Sequence, residues 1–341
     1  MIIVVFILGL GYKILFYINC MTVSLKIPDL SKQLYENDVL KSLNDNWHDY
    51  GYDWMAHQLE YVNDVYEAFK DHTKFMIVMY LINKTLSFYS RSYLILCFDD
   101  YYLQKTLEIE KFNVIDISKE LLIPKETARR KIKELENDGI IKRDKKKLII
   151  DRTAFPFFKP IKAIPRIARF LSKFSKVLSK DKLLDKEFQS VEIEKKIKLN
   201  FTHIWKSYYE LQLNMIKNWN IHFRDFTTWH VYGTIAASQG YAISKEIVIN
   251  KSRKNFNELL VSGKYFRGIN AMSVSELTGI PRATVVRKLN LLIKSKYLVI
   301  NKKKQYFTSG EHVNELTEIQ SKVIKNLSIF ITKVMNSINL V

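Results

Sequence analysis

Cysteine is nearly missing from this chain: Cys20 and Cys97 are the only two in 341 residues, and they follow no metal or redox spacing. A disulfide framework is thereby excluded, and a reducing compartment, the cytoplasm, is the expected setting. Proline and glycine are also scarce, at 6 and 10 residues, and no low-complexity run occurs. Long disordered or collagen-like segments are excluded on those grounds. The seven histidines (His48, His57, His72, His203, His222, His230 and His312) show no HExxH or paired-ligand pattern. His222 and His230, eight residues apart, are read as ordinary surface or core residues. The sequence has no P-loop, no GxGxxG after a strand, no GxSxG elbow and no paired-carboxylate motif. No enzymatic activity, cofactor or metal is therefore expected.

What is present points to a packed, mostly helical protein. A 47% hydrophobic content beside 26% charged residues suits a chain that buries a real core. Few turn-formers among many long apolar and charged side chains favour helix. The net charge of +19 would attract phosphate backbones or anionic lipid heads. The chain is also rich in Lys, Ile, Asn, Phe and Tyr, whose codons are AT-rich, so base composition supplies part of the lysine excess. Where the charge sits therefore counts for more than its total.

Residues Met1 to Cys20 are almost wholly apolar. A membrane anchor needs roughly 20 apolar residues, and this stretch barely reaches that with Lys13 inside it. A secretory signal would carry a positive charge before the run and small residues at its end, and neither is there. The favoured reading is a start at Met21, followed by the polar Thr22-Val23-Ser24-Leu25-Lys26. Contact with a membrane is expected only if residues 1–20 are a true anchor.

The most informative feature is an internal repeat. Residues 116–150 and 273–307 align at a constant offset of 157. Ser118, Ile123, Pro124, Thr127, Arg130, Lys131, Leu135 and Lys145-Lys146-Lys147 recur as Ser275, Ile280, Pro281, Thr284, Arg287, Lys288, Leu292 and Lys302-Lys303-Lys304. In each copy a short helix (Ser118–Leu121, Ser275–Thr278) should meet a tight turn, with Gly279 supplying a positive φ in the second. The next helix should open with proline at its first position, where the missing N–H costs no hydrogen bond. Its buried stripe is Ala128, Ile132, Leu135 in one copy and Val285, Leu289, Leu292 in the other. Asp138-Gly139 or Ser295-Lys296 follows, then two β-rich runs (Ile140-Ile141 with Leu148–Ile150; Tyr297–Ile300 with Tyr306-Phe307) around a lysine-tipped turn. Helix, turn, helix, hairpin is the order of a winged helix-turn-helix.

Both segments resemble the DNA-binding cores of bacterial transcription regulators of the MarR and IclR kind. The second, Glu276-Leu277-Thr278-Gly279-Ile280-Pro281-Arg282-Ala283-Thr284-Val285, is the closer match; the first has Leu122 where the turn glycine usually sits. The resemblance covers some 70 of 341 residues and implies a mainly α fold with small β-hairpin wings. Two winged helix-turn-helix units would stand in tandem, each flanked by long helices. It also implies that the second helix of each unit enters the major groove of double-stranded DNA. The outward residues of those helices are then the DNA-binding candidates: Lys125, Glu126, Thr127, Arg129, Arg130 and Lys133, and Arg282, Ala283, Thr284, Val286, Arg287 and Asn290. Arg130 and Arg287 suit bidentate contact with guanine, and Thr127 and Thr284 a phosphate or a thymine methyl. Lys145, Lys146, Lys147 and Lys302, Lys303, Lys304 would tip the wings; lysine is equally a common hairpin-turn residue.

Long helical stretches (roughly 54–107 and 201–256) precede the motifs. After the first, Ile164, Ile167, Leu171, Phe174 and Leu178 form an apolar stripe beside a basic one of Arg166, Arg169, Lys173, Lys176 and Lys180. The basic stripe reads first as the wet side of a helix joining the halves, and second as a track for phosphates or lipid heads. A last helix carries Leu316, Ile319, Val323, Leu327, Ile331, Val334 and Ile338. The expected organisation is an N-terminal apolar segment (1–21), a first winged-helix domain (22–180), a linker (181–199) and a second winged-helix domain (200–341). The flanking helices build a dimer interface in MarR-like proteins, so one chain with two copies could imitate a dimer; a homodimer is the other option. Tyr89, Tyr93, Tyr101, Tyr102, Trp229 and Tyr232 read as core and boundary residues rather than the lining of an effector pocket. Two rival functions stand beside a regulator: a replication initiator of the plasmid type, and a winged-helix interaction module that binds no DNA.

Overall fold

The computed structural model describes residues 32–109, 113–144, 147–153, 159–246, 253–261 and 268–339. The apolar segment 1–21 and the wing lysines Lys145 and Lys146 lie outside them. The architecture is mainly helical with two small antiparallel sheets. Among the described residues no helix is long and apolar enough to cross a membrane.

The first half runs α1 (Glu36–Asp45), α2 (Trp47–Phe69), α3 (His72–Arg91), α4 (Phe98–Leu103), β1 (Thr106–Ile109), α5 (Val114–Leu121), α6 (Lys125–Asn137), β2 (Ile141–Asp144), β3 (Lys147–Asp151) and α7 (Ala163–Lys180). The second half runs α8 (Ser190–Leu199), α9 (Phe201–Phe223), α10 (Phe226–Glu246), α11 (Arg253–Val261), α12 (Ala271–Thr278), α13 (Arg282–Lys294), β4 (Leu298–Ile300), β5 (Tyr306–Thr308) and α14 (Val313–Asn339). The repeat therefore reaches far beyond the motif. Shifted by 154 residues, α1, α2 and α3 begin where α8, α9 and α10 begin and the first two pairs also end together. The break inside each long helical stretch is the same three-residue device. Phe69-Lys70-Asp71 and Phe223-Arg224-Asp225 each place a cationic residue in the left-handed region (φ 51 and 57) and then an aspartate. Asp71 caps α3 by accepting from the backbone N–H groups of Thr73 and Lys74, and Asp225 accepts from that of Thr227. The stretch 181–199 contains α8, whose Ile193 and Ile197 are buried as Val39 and Leu43 are in its counterpart α1.

Packing follows the same exchange. α3 lies along α9 while α2 lies along α10, and α1 packs on α14 while α8 packs on α7. Interchanging the halves turns each pairing into the other, which is the relation that an isologous dimer interface has. In the first sheet β3 is central, antiparallel to β1 (Leu107 opposite Ile150) and to β2 (Ile141 opposite Ile150). In the second, β4 pairs with β5, and a single bridge from Ile269 to Tyr306 stands where β1 runs in the first.

The apolar stripe of α7 is buried throughout. Its basic side is largely matched by carboxylates of α2. Arg166 bonds Glu60 at 2.8 Å and Asp64 at 2.7 Å, Lys173 meets Asp53 at 2.6 Å, and Lys180 approaches Asp49 at 4.0 Å. A stripe whose charge is already matched within the molecule offers little to a phosphate track.

One local strain is legible. Leu122 adopts φ 54, ψ 43, where the second copy has Gly279 at φ 68. A branched side chain in the left-handed region costs about 1–2 kcal/mol, and glycine returns some 0.5–1 kcal/mol of that as backbone entropy. Because Leu122 is 51% exposed it has little packing to lose. Leu122→Gly is expected to stabilise the protein by about 0.5–1 kcal/mol in urea unfolding. A midpoint that stays put or falls would mean that the exposed leucine contributes more contact than its burial implies.

Candidate nucleic-acid interface

The two rods are built by residues that recur in both copies. Asn113 Oδ1 accepts from the N–H of Asp116 at 2.8 Å to start α5, and Asn270 Oδ1 accepts from Ser273 at 2.9 Å to start α12. The turn is closed by a serine: Ser118 Oγ donates to the carbonyl of Ile123, and Ser275 Oγ to that of Ile280, both at 2.7 Å. Pro124 and Pro281 stand one position earlier than the sequence suggests. They are extended N-caps (φ −56, ψ 138; φ −52, ψ 133), and α6 and α13 begin at Lys125 and Arg282. A proline with ψ near 135° has already left the helical region, while its fixed φ still sets the entry of the chain. The buried stripes are those the period predicts: Ala128, Ile132, Leu135 and Val285, Leu289, Leu292.

Lys131 and Lys288, although repeated and charged, face inward. Their side chains are 11% and 14% exposed, and each forms an ion pair with the aspartate ahead of the facing helix: Lys131 with Asp71 at 2.7 Å, Lys288 with Asp225. Burial pushes the Asp71 carboxyl up, but the Lys131 ammonium and the backbone N–H groups of Lys74 and Thr73 outweigh it and leave the group below its ordinary value. Asp225 is lowered in the same way, burial opposed by the hydrogen bonds and charge of Lys288 and by Thr228 and Thr227. α6 has a second clamp, since Lys74 meets Glu134 at 3.4 Å and Asp138 at 2.8 Å.

The residues left pointing outward are the expected ones. Lys125, Arg129, Arg130 and Lys133 are exposed with Thr127 half-buried, and Arg282, Arg287 and Asn290 are exposed with Thr284 half-buried. The faces differ in charge. On α6, Arg130 is held by Glu134 at 2.7 Å and Arg129 lies 3.8 Å from Glu126. On α13 there is no carboxylate, and Arg282 and Arg287 have no acidic partner among the described residues. The hairpin after α13 turns on Asn301, whose Oδ1 accepts from the N–H groups of Lys303 and Gln305. Lys302, Lys303 and Lys304 are exposed at its tip, with Lys304 at φ 56. Of the first triplet only Lys147 lies within the described residues, in β3 opposite Asp144.

Between the halves lies a polar chain that sequence reasoning missed. His230 Nε2 is 2.7 Å from Asn63 Oδ1, His72 Nε2 is 3.2 Å from His230 Nδ1, and Thr227 Oγ1 is 3.1 Å from His72 Nδ1. With both rings neutral every contact is satisfied: Thr227 donates to His72, His72 to His230, and His230 to the Asn63 amide oxygen. Burial holds His72 down to about 4 and His230 well below its ordinary value. No group of residues suited to a metal ion occurs among the described residues. Compared with known proteins, the chain matches no family model, no curated protein and no solved structure.

Proposed function

We propose that the chain is a double-stranded-DNA-binding transcription regulator in which two winged helix-turn-helix units, α5–α6–β2–β3 and α12–α13–β4–β5, act as an intrachain pseudo-dimer. The observation that carries the reading is a division among the repeated residues. Asn113/Asn270, Ser118/Ser275, Ile123/Ile280 and Lys131/Lys288 each have a task inside the fold. Thr127/Thr284, half-buried, and Arg130/Arg287, exposed, recur just as faithfully outside the buried stripe. An arginine repeated at one outward position of two groove-sized rods suits bidentate reading of guanine, with threonine one turn earlier for phosphate or thymine methyl. The reciprocal packing of the halves supports the pseudo-dimer part. Such an arrangement reads two half-sites about 34 Å apart, and because the two faces differ the site is an imperfect palindrome.

Selection of bound fragments from genomic DNA by the purified chain, followed by anisotropy titration against salt, tests the proposal. Binding that weakens steeply with salt, at a site of two unequal half-sites, is the expected result. A chain without DNA affinity even at low salt would instead be a protein-interaction module. Changing Lys302, Lys303 and Lys304 to glutamine is expected to weaken all sequences about equally. It should also flatten the salt slope by up to about 0.9 for each phosphate that is no longer neutralised. Altered base preference with an unchanged slope would place those lysines on bases instead.

A further inference from the structure

Comparing the two halves residue by residue exposes a place where one has lost bulk. At the 154-residue shift, Met79 and Ile82 of α3 fill the positions that Gly233 and Ala236 occupy on α10, and Asn83 matches Ala237. The loss opens a cavity of about 130 Å³ between α2, α9, α10, α11 and α14. Trp54, Trp219, Trp229 and Tyr232 line its wall, and no carboxylate, lysine, arginine or histidine among the described residues lines it.

Gln58 on α2 lies against this space, 5% exposed, and neither its Oε1 nor its Nε2 has a hydrogen-bond partner among the described residues. Three other polar side chains of the wall bond one another: Asn257 Nδ2 donates to Thr317 Oγ1 at 3.2 Å and to Gln320 Oε1 at 2.8 Å. A buried amide left bare and a void beside it are both standing losses to the folded state. A single ligand that fills the void and bonds the amide removes both. An apolar cavity of roughly 150 Å³ is known to accept benzene, so the size fits one six-membered ring with a small substituent. With no cationic side chain among the described wall residues, the wall favours a neutral ligand over a carboxylate, since a buried charge needs a counterion.

We infer that this cavity is a binding site for a neutral, monocyclic aromatic molecule bearing one hydroxyl or amide group that hydrogen-bonds to Gln58. The wall helix α10 also fastens the second outward face. Asp225 before it pairs with Lys288 of α13, and Gln239 on it accepts from the N–H of Thr308 in β5. Ligand binding itself does not depend on the DNA reading and is measured without DNA.

Calorimetric titration of the full chain with phenol, benzamide, toluene and benzoate is the test. Phenol or benzamide is expected to bind, toluene about tenfold more weakly for want of the hydrogen bond, and benzoate not at all. Gln58→Leu should abolish or reverse the preference for phenol over toluene, because the phenol hydroxyl is then left without a partner. The double variant Gly233→Met, Ala236→Ile, which installs the bulk of the first half, should abolish binding. If circular dichroism shows that the double variant does not fold, the Gln58→Leu comparison decides. The inference is overturned if none of the neutral rings binds at its solubility limit, if benzoate binds as well as phenol, if the folded, filled variant still binds, or if Gln58→Leu leaves the preference for phenol over toluene intact.

Discussion

Replacing both Arg282 and Arg287 with alanine is expected to lower affinity for the selected DNA site by roughly two to four orders of magnitude, at about 1–3 kcal/mol for each base-reading arginine. Replacing the two arginines of the first rod, Arg129 and Arg130, is expected to cost less. Arg130 is already bonded to Glu134 and Arg129 lies near Glu126, so engaging DNA there means giving up intrahelical pairs worth about 0.3–0.5 kcal/mol each. The carboxylates also remain close to the phosphates once the arginines are gone. α13 carries Arg282, Arg287, Lys288 and Lys294 against no acidic residue, and of these Lys288 is committed to Asp225. The second unit should therefore dominate affinity and the first should contribute discrimination between sites. Anisotropy titrations of both double variants at one salt concentration give the ordering directly. Equal losses would mean that the unequal charge of the two faces is irrelevant to binding, and no loss from either would remove both rods from the interface.

The part of this arrangement that could be read beforehand is the part where residue identity, rather than residue kind, is demanded. Thr127, Arg130 and Lys131 recur as themselves in Thr284, Arg287 and Lys288, and of these the two lysines hold equivalent ion pairs. The period of 3.6 in Ala128, Ile132 and Leu135 then located the buried side of the rod. The front of each repeat was hidden because helix packing asks only for an apolar residue of suitable size. Val39 stands for Ile193, Leu43 for Ile197 and Trp47 for Phe201, all buried, with no identity among them. The surviving identities over α1 to α3, Lys41/Lys195, Asn46/Asn200, Gln58/Gln212, Leu59/Leu213, Phe69/Phe223, Asp71/Asp225, Thr73/Thr227 and Ser90/Ser244, are too scattered to notice until the helix boundaries align. Lys131 and Lys288 show the opposite limit. Their repetition alone assigns them no task, and only the aspartate 60 or more residues earlier in the chain shows that each is a tether. The same holds for the stripe of α7, whose partners on α2 lie more than 100 residues away, and for His72 with His230, separated by 158.

Acid is expected to unfold the protein well before its carboxylates titrate. Three buried histidines are held neutral: His57 down to about 3, by burial and then by the Arg166 and Arg169 charges, His72 down to about 4 by burial, and His230 well below its ordinary value by burial and by His72. In the unfolded chain each takes up a proton near pH 6.5. A depressed pKa means that the unfolded state binds more protons than the native state throughout the window between the two values, so stability falls as pH falls through it. The loss begins below about pH 6.5 and continues to about 4 for His72 and about 3 for His57. At about 1.4 kcal/mol per pH unit for each group, three groups give a slope of about 4 kcal/mol per pH unit, and domains of this kind hold only about 5–15 kcal/mol in all. Asp71 and Asp225, also lowered, add their share only at more acid pH. Burial, more than the hydrogen-bond pattern, resists the proton. The Thr227 hydroxyl can turn to accept, so a first proton on the His72–His230 pair keeps its contacts, while a second would set donor against donor between the two rings; one on His57 would charge a buried ring packed against Trp54 and Phe170. Urea unfolding at intervals between pH 7.5 and 5 measures the slope, and His57→Phe, which keeps a ring and removes the titration, is expected to reduce it by about one third. A flat stability profile down to pH 5 would show that these histidines are protonated or solvated in the native protein, contrary to the packing between the halves.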